Sequence, residues 1–297
     1  MIIAEIRSDI QTIESDAKLF EEINFDSRAN AIDFIEFHII DRIDSLIQQS
    51  AIIKELRLLK QQAENLKTQL EQIDNNLFAG LREQIRAGAC NGTAFRTVID
   101  TYTKPDNKSY EQPGYDNLDV FINGLLTAAT IPRPVNELEP EMVFYQKTPA
   151  RVVFELIEIA QLKPGDVFFD IGSGLGQVPL LVNLISGIIA KGVEFETACH
   201  EYAVNCAAKL NLPNVEFINA DARVVDYSAG NVFFMYTPFQ GQMLQEVISL
   251  LNKKSRRRII RIYTYGPCSP HVAMQNWLKC TNGQGNDIYK LYEFVSV

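Results

Sequence analysis

The segment Asp170-Ile-Gly172-Ser173-Gly174-Leu-Gly176-Gln177 is the part of the chain best suited to hold a small ligand. Three glycines alternate behind a carboxylate and end on an amide. Glycine lets a backbone turn sharply and approach a ligand closely. The segment follows the apolar run 167–171 and precedes a helical pattern. That order places it at the carboxyl end of a strand, where open α/β sheets bind ligands. The dinucleotide fingerprint requires G-x-G-x-x-G, and Gln177 stands at its last glycine. The spacing therefore argues against a nicotinamide-dependent oxidoreductase. A carboxylate beside the loop would also repel a pyrophosphate, whereas it would attract an ammonium group.

Three more segments close successive predicted strands: Gly192-Val193-Glu194-Phe195, Asn219-Ala220-Asp221-Ala222 and Tyr236-Thr237-Pro238-Phe239. Each has a plain structural reading beside the functional one. The glycines could form only a tight strand–helix turn, Glu194 and Asp221 could be helix caps or solvated loop acids, and Tyr236 and Phe239 could be core aromatics. His38, His200 and His271 lack metal-ligand spacing, and no metal site is expected.

Taken together, the four segments resemble the class I S-adenosylmethionine-dependent methyltransferase superfamily. The resemblance implies S-adenosyl-L-methionine as cofactor, with Asp170, Gly172, Ser173, Gly174 and Gly176 around its methionine part. It implies that Glu194 accepts from both ribose hydroxyls and that Phe195 packs on adenine. Asp221 would accept from the adenine amino group, with Ala222 near its ring nitrogen. Tyr236 would border the cofactor, and Thr237, Pro238 and Phe239 would shape the acceptor pocket. The first motif, with Tyr145 and Thr148 upstream, is also similar to the non-SET histone-lysine methyltransferases of the disruptor-of-telomeric-silencing type. That likeness covers roughly residues 142–240. It implies that Gln177 contacts the methionine end and that Phe144–Thr148 closes over the cofactor. In the fourth motif, Tyr236 and Thr237 stand where that family has asparagines. Tyr236 also replaces the asparagine of the N-P-P-F/Y motif used by amino-group methylases on adenine.

The implied activity is methyl transfer to an unidentified acceptor, a protein side chain or a small molecule. Tyr145 and Tyr236 are the candidate catalytic residues, orienting the acceptor or helping to remove its proton. The alternative is a non-catalytic cofactor-binding or scaffold protein whose helical half binds partners.

Several elements must position these residues. Thr148-Pro149 opens a helix running to Gln161. Strands are expected at 167–171, 188–195, 215–220, 232–236 and 258–265, with helices at 178–186, 197–210 and 242–251 between them. This alternation predicts an α/β fold: a Rossmann-like, doubly wound, mainly parallel sheet. The loosely alternating tail Asp287–Val297 suits an antiparallel edge strand. The basic run Lys253–Arg258, with Arg261, precedes a strand and is expected opposite the ligand face.

The first 90 residues read as helices. Leu56, Leu59, Ala63, Leu66, Leu70, Ile73 and Leu77 step by three and four, a 3.5-residue period that marks coiled-coil packing. The stripe suits an intramolecular hairpin or bundle, or else a homodimer seam. Residues 104–117 read as a loop, and Asp116 can cap a helix whose apolar face is Leu118, Phe121, Ile122 and Leu125. The Pro-rich segment 131–140 reads as an extended connector. The division expected is a helical module with connector over 1–141 and a cofactor-binding domain over 142–297.

Composition narrows the partners. The chain has 297 residues and a net charge of −9. Residues 1–149 carry 15 basic and 24 acidic side chains, and the remainder 13 of each. The acidic half would repel nucleic acid and anionic membranes. No run approaches the ~18 apolar residues needed to span a bilayer. Five scattered cysteines without a C-x-x-C pair and an opening MIIAEIRSDI unlike a signal peptide suit a cytoplasmic protein.

Overall fold

The alternation after residue 148 becomes a seven-stranded sheet in the computed structural model, which describes residues 2–48, 53–103, 114–126 and 131–297. The described residues within 1–83, 97–107 and 116–125 form one compact unit. Those within 84–96, 108–115 and 126–297 form a second.

In the first unit, α1 (Ile2–Ser15), α2 (Phe25–Phe34), α3 (Asp41–Ile47) and most of α4 (Ile53–Arg86) carry the expected apolar stripes. Leu56, Leu59, Ala63, Leu66 and Leu70 of α4 bury against Ile6, Ile10, Ile35, Ile39 and Ile43, so the stripe is covered by this chain's own helices. A π-helical stretch, Ile35–Ile40, joins α2 to α3. Ile35, Ile39 and Ile40 of this stretch are buried. Beyond Leu70 the buried face passes to Asp74, Leu77, Phe78 and Leu81, while Ile73 is only partly covered. Asp74 pairs with the fully buried Arg28 at 2.6 Å. Phe25, Phe78 and Phe121 pack edge to face nearby, with centroids 5.0–5.8 Å apart. Phe121 lies on α6 (Asn117–Leu126), which Asp116 caps through the amide of Leu118 at 3.0 Å. Most of the expected loop 104–117 lies outside the described residues. The helix α5 (Gly92–Tyr102) runs from residues of the second unit into the first.

In the second unit, α7 (Ala150–Ala160) precedes β1 (Val167–Ile171). The chain continues through α8 (Gln177–Ser186), β2 (Ile189–Glu194), α9 (Thr197–Leu210), β3 (Val215–Asn219), β4 (Val232–Tyr236), α10 (Gly241–Ser255) and β5 (Arg261–Tyr265). It ends with the short α11 (Ser269–Ala273), β6 (Leu278–Cys280) and β7 (Tyr292–Ser296). The sheet order is β3-β2-β1-β4-β5-β7-β6. β1 to β5 pair in parallel, and β7 runs antiparallel to β5. β7 is thus the antiparallel strand expected from the tail. The three-residue β6 adds on its far side, too short to leave a periodic signal.

The central strands are apolar on both faces because helices cover both. Phe168, Phe169, Phe233, Phe234 and Met235 are all buried. Strand order reverses between β1 and β4, which makes the carboxyl ends of these two strands the topological switch point. Asp170 and Tyr236 lie there.

The basic run lies at the opposite ends of the strands. Arg261 bonds Asp166, just before β1, at 3.0 Å, and Lys254 bonds Asp226 at 2.8 Å. Among the described residues no helix is long and apolar enough to cross a membrane.

Candidate functional site

The Asp170–Gln177 loop hangs from β2: the amides of Gly172 and Ser173 both donate to the Val193 carbonyl at 2.9 Å. Its alternating glycines have one conformational reason. Gly172, Gly174 and Gly176 all sit at positive φ, +85°, +52° and +82°. Space restricts them as well. A Cβ on Gly172 would fall 2.2 Å from Pro238, and one on Gly174 would fall 2.1 Å from the Tyr145 ring. The Gly174→Ala variant is therefore expected to displace Tyr145 and to cost about 1–2 kcal/mol for its left-handed backbone. Melting curves with and without ligand would check this. An unchanged ligand-induced shift would remove Tyr145 from the binding site.

Asp170, one residue before the end of β1, is 3% exposed. No donor among the described residues bonds its carboxylate. Burial and then the neighbouring charge of Glu194 push this carboxyl well above the usual range. Glu194, at the end of β2, accepts from the amides of Gly174 at 2.6 Å and Glu196 at 2.8 Å. Burial nevertheless raises it too. Two carboxylates thus converge on one glycine loop with no cation beside them among the described residues.

A cavity of about 430 Å³ opens at the carboxyl ends of β1 to β5. Tyr145, Gly172, Glu194, Phe195, Asp221, Ala222 and the whole of Tyr236–Phe239 line it. Thr148, Asp170, Ser173, Gly174, Gly176 and Gln177 are not among the lining residues. Gln177 donates from Nε2 to the Thr148 carbonyl at 2.8 Å, joining the segment before α7 to the glycine loop. The Ser173 Oγ and Gln177 Oε1 atoms are buried without a partner among the described residues.

Asp221, expected to receive an adenine amino group, is already engaged. Arg223 Nε lies 3.0 and 2.9 Å from its two oxygens, and the same arginine reaches Glu139 at 2.6 Å. The guanidinium holds Asp221 below the usual carboxylate range. Thr237, between Tyr236 and Pro238, has φ +41°. For a β-branched residue preceding proline this is a strained backbone, of the kind that clusters at ligand sites. Its Oγ1 accepts from the Cys268 amide at 3.2 Å, which helps to hold the turn.

The connector before α7 forms one wall of the cavity, contributing Pro134, Leu138, Met142, Val143 and Phe144. Glu196 accepts from the amides of Val135 and Asn136 at 2.9 and 3.0 Å. Burial works to raise this carboxyl, and the bonded amides outweigh it, leaving it lowered. Glu141 accepts from Gln242 and Met243 at the start of α10, at 3.0 and 2.7 Å. The Val143 amide donates to the Pro238 carbonyl at 3.2 Å. One segment is thereby tied to the ends of β2, β3 and β4.

Sequence reasoning missed Tyr115, Tyr265 and Tyr289, which also line the cavity. Tyr265 ends β5, so the strand-end rule that found Tyr236 could have found it. Tyr115 and Tyr289 sit in loops and carried no signal.

No family model matches the chain, and no curated protein matches it. Among solved structures it is similar to an RNA methyltransferase from Salinibacter ruber in complex with S-adenosyl-L-homocysteine. Identity is 18% over 51% of this chain and 92% of that one, with a TM-score of 0.40. It is also similar to precorrin-6y C5,15-methyltransferase from Geobacter metallireducens, at 17% identity over 52% and 92% of the two chains, with a TM-score of 0.38. A mutant of MtNAS in complex with S-adenosylmethionine aligns over 100% of this chain and 98% of its own, at 11% identity and a TM-score of 0.40. At these scores it is the site's own geometry that bears on function.

Proposed function

We propose that the protein is an S-adenosylmethionine-dependent methyltransferase acting on a protein side chain or small molecule. The observation that carries this reading is Asp170: a carboxylate 3% exposed, without a donor, near the end of β1 beside three glycines at positive φ. A buried, unpaired charge is costly unless a cation comes to it. S-adenosylmethionine brings an ammonium and a sulfonium; beside Gly172 and Gly174 the space is held by Pro238 and the Tyr145 ring, which its approach there would have to move. Asp170 and Gly172–Gly176 would hold its methionine end, and Glu194 and Phe195 the ribose and adenine. For Asp221 to receive the adenine amino group, it would share its oxygens with Arg223. The cofactor, when bound, supplies a methyl group already activated for transfer. The chain's own task is to orient an acceptor toward it and to keep water out.

We place the cofactor domain at residues 142–297, with Tyr115 and the 134–141 segment added from upstream. The narrower likeness to the non-SET lysine methyltransferases stops at the fourth strand, where Tyr236 and Thr237 replace its asparagines.

Thermal denaturation tests the reading. S-adenosylmethionine or S-adenosylhomocysteine at ~100 times its dissociation constant should stabilise the protein by about 2.7 kcal/mol. NAD should produce no shift. If neither adenosyl ligand raises the melting temperature at saturation, the proposal fails.

A further inference from the structure

The part of the cavity beyond β4 and β5 is lined by tyrosine. Tyr236 and Tyr265 lie with ring centroids 5.2 Å apart, tilted by 53°. Tyr265 is buried, whereas Tyr115 and Tyr289 are 56% and 57% exposed. Tyr115, Tyr236, Tyr265 and Tyr289 all line this one cavity. Two of these hydroxyls are engaged by the protein. Tyr115 donates to the Lys147 carbonyl at 2.7 Å, and Tyr265 accepts from Arg151 at 3.4 Å. What remains for a ligand is aromatic face, which attracts cations, together with the hydroxyls of Tyr236 and Tyr289.

Charge points the same way. Among the described residues the cavity lining holds Glu194, Glu196 and Asp221, and no lysine, arginine or histidine. An acceptor bearing phosphate or carboxylate would meet repulsion there. Arg151, which donates to the Tyr265 hydroxyl, is not itself a lining residue; it attracts Glu155, whose carboxyl burial nonetheless raises.

The proton adds a further constraint. A primary or secondary amine, an alcohol or a thiol must lose a proton on methylation. Burial pushes the Tyr236 phenol up to about 12 and raises Tyr145 as well, so neither is a base at neutral pH. Glu194 is bonded to two amides and Asp221 to Arg223. A tertiary amine has none to lose once methylated; the one proton it carries as an ammonium ion at neutral pH passes to water before it reacts.

Building on the methyltransferase reading above, we infer that the acceptor is a tertiary alkylamine, methylated to a quaternary ammonium ion that rests among Tyr115, Tyr236, Tyr265 and Tyr289. The amine lone pair forms the N–C bond as the C–S bond breaks. The sulfur keeps the bonding pair and the positive charge passes from sulfur to nitrogen; the amine has given its ammonium proton to water beforehand, so no proton moves in the transfer itself. The new cation arises against the ring faces.

The test is calorimetric titration of choline, and of its uncharged isostere 3,3-dimethylbutan-1-ol, into the full chain saturated with S-adenosylhomocysteine. Choline should bind about 10-fold or more tightly than the isostere. Tyr289→Phe should keep that preference. Tyr289→Ala, at an exposed position, should reduce it several-fold, as should Tyr236→Ala. No measurable choline binding, equal binding of the two probes, or a preference that survives both alanine variants would overturn the proposal. Failure of S-adenosylhomocysteine itself to bind would overturn the cofactor reading instead, so the two failures are distinguishable.

Discussion

Asp170→Asn is expected to weaken S-adenosylmethionine binding by about 30-fold or more, the usual loss when one partner of a buried charged contact is removed. The same change is expected to raise the melting temperature of the ligand-free protein. Asparagine keeps the shape and removes the charge that burial and Glu194 make costly. Each kcal/mol recovered is worth about 2–4 °C in a protein of this size. The sign of the pH dependence follows. A carboxyl raised in the folded state keeps its proton where the unfolded chain has lost it. Wild-type stability therefore falls as pH rises from the ordinary carboxyl range through the raised value. The variant lacks that term, so its advantage should widen across the same window and vanish in acid. Wild-type affinity for the cationic ligand should rise across the window, because only the ionised carboxylate attracts it. Melting curves and calorimetry over the acid-to-neutral range check both trends. A variant that is less stable without ligand, or that binds with wild-type affinity, would sink the account.

The largest stability effect is expected at Asp74. Its alanine variant should lose about 3–5 kcal/mol, read by denaturant melting, because Arg28 would remain as an unpaired buried charge. Arg28 is wholly buried, and it also donates to the carbonyls of Leu19, Glu21 and Glu22 at 2.8–3.1 Å. Burial outweighs the guanidinium and leaves the Asp74 carboxyl raised, so the intact pair is itself expensive. Replacing both residues, as Arg28→Met with Asp74→Leu, should recover part of the loss. Recovery would be partial because three carbonyls lose their donor. A single variant as stable as wild type would show that Arg28 finds another way to satisfy its charge.

The sheet was legible where local signals coincide. β1, bounded by Lys163-Pro-Gly-Asp166 and the glycine loop, lies at Val167–Ile171 as the pattern predicts, and the helix at 197–210 likewise. β5 starts at Arg261, three residues later than its apolar run suggests; before it, Arg258 donates to the carbonyls of Ser228 and Gly230. The Leu56–Leu77 stripe was visible as a period. That it yields to Asp74 was not, because the reason is Arg28, 46 residues away in sequence. At the site, the acids and glycines stood out because each occupies a strand end. The bond from Arg223 to Asp221 hides in an ordinary loop composition, and so do the amides held by Glu196. The tyrosine cluster draws on positions 115 to 289, and no window of sequence spans that.

The connector's bonds have a consequence for how the cavity opens. On the sheet side the cavity is lined by Gly172, Val193, Ala220 and Tyr236, above a packed core that resists local rearrangement. One wall is a single segment pinned by carboxylate–amide and guanidinium–carboxylate bonds at Glu196, Arg223 and Glu141. Water can replace such bonds at a net cost of only about 1 kcal/mol or somewhat more each. Loosening this wall would therefore mean unbuttoning one strip of chain while the sheet stays in place.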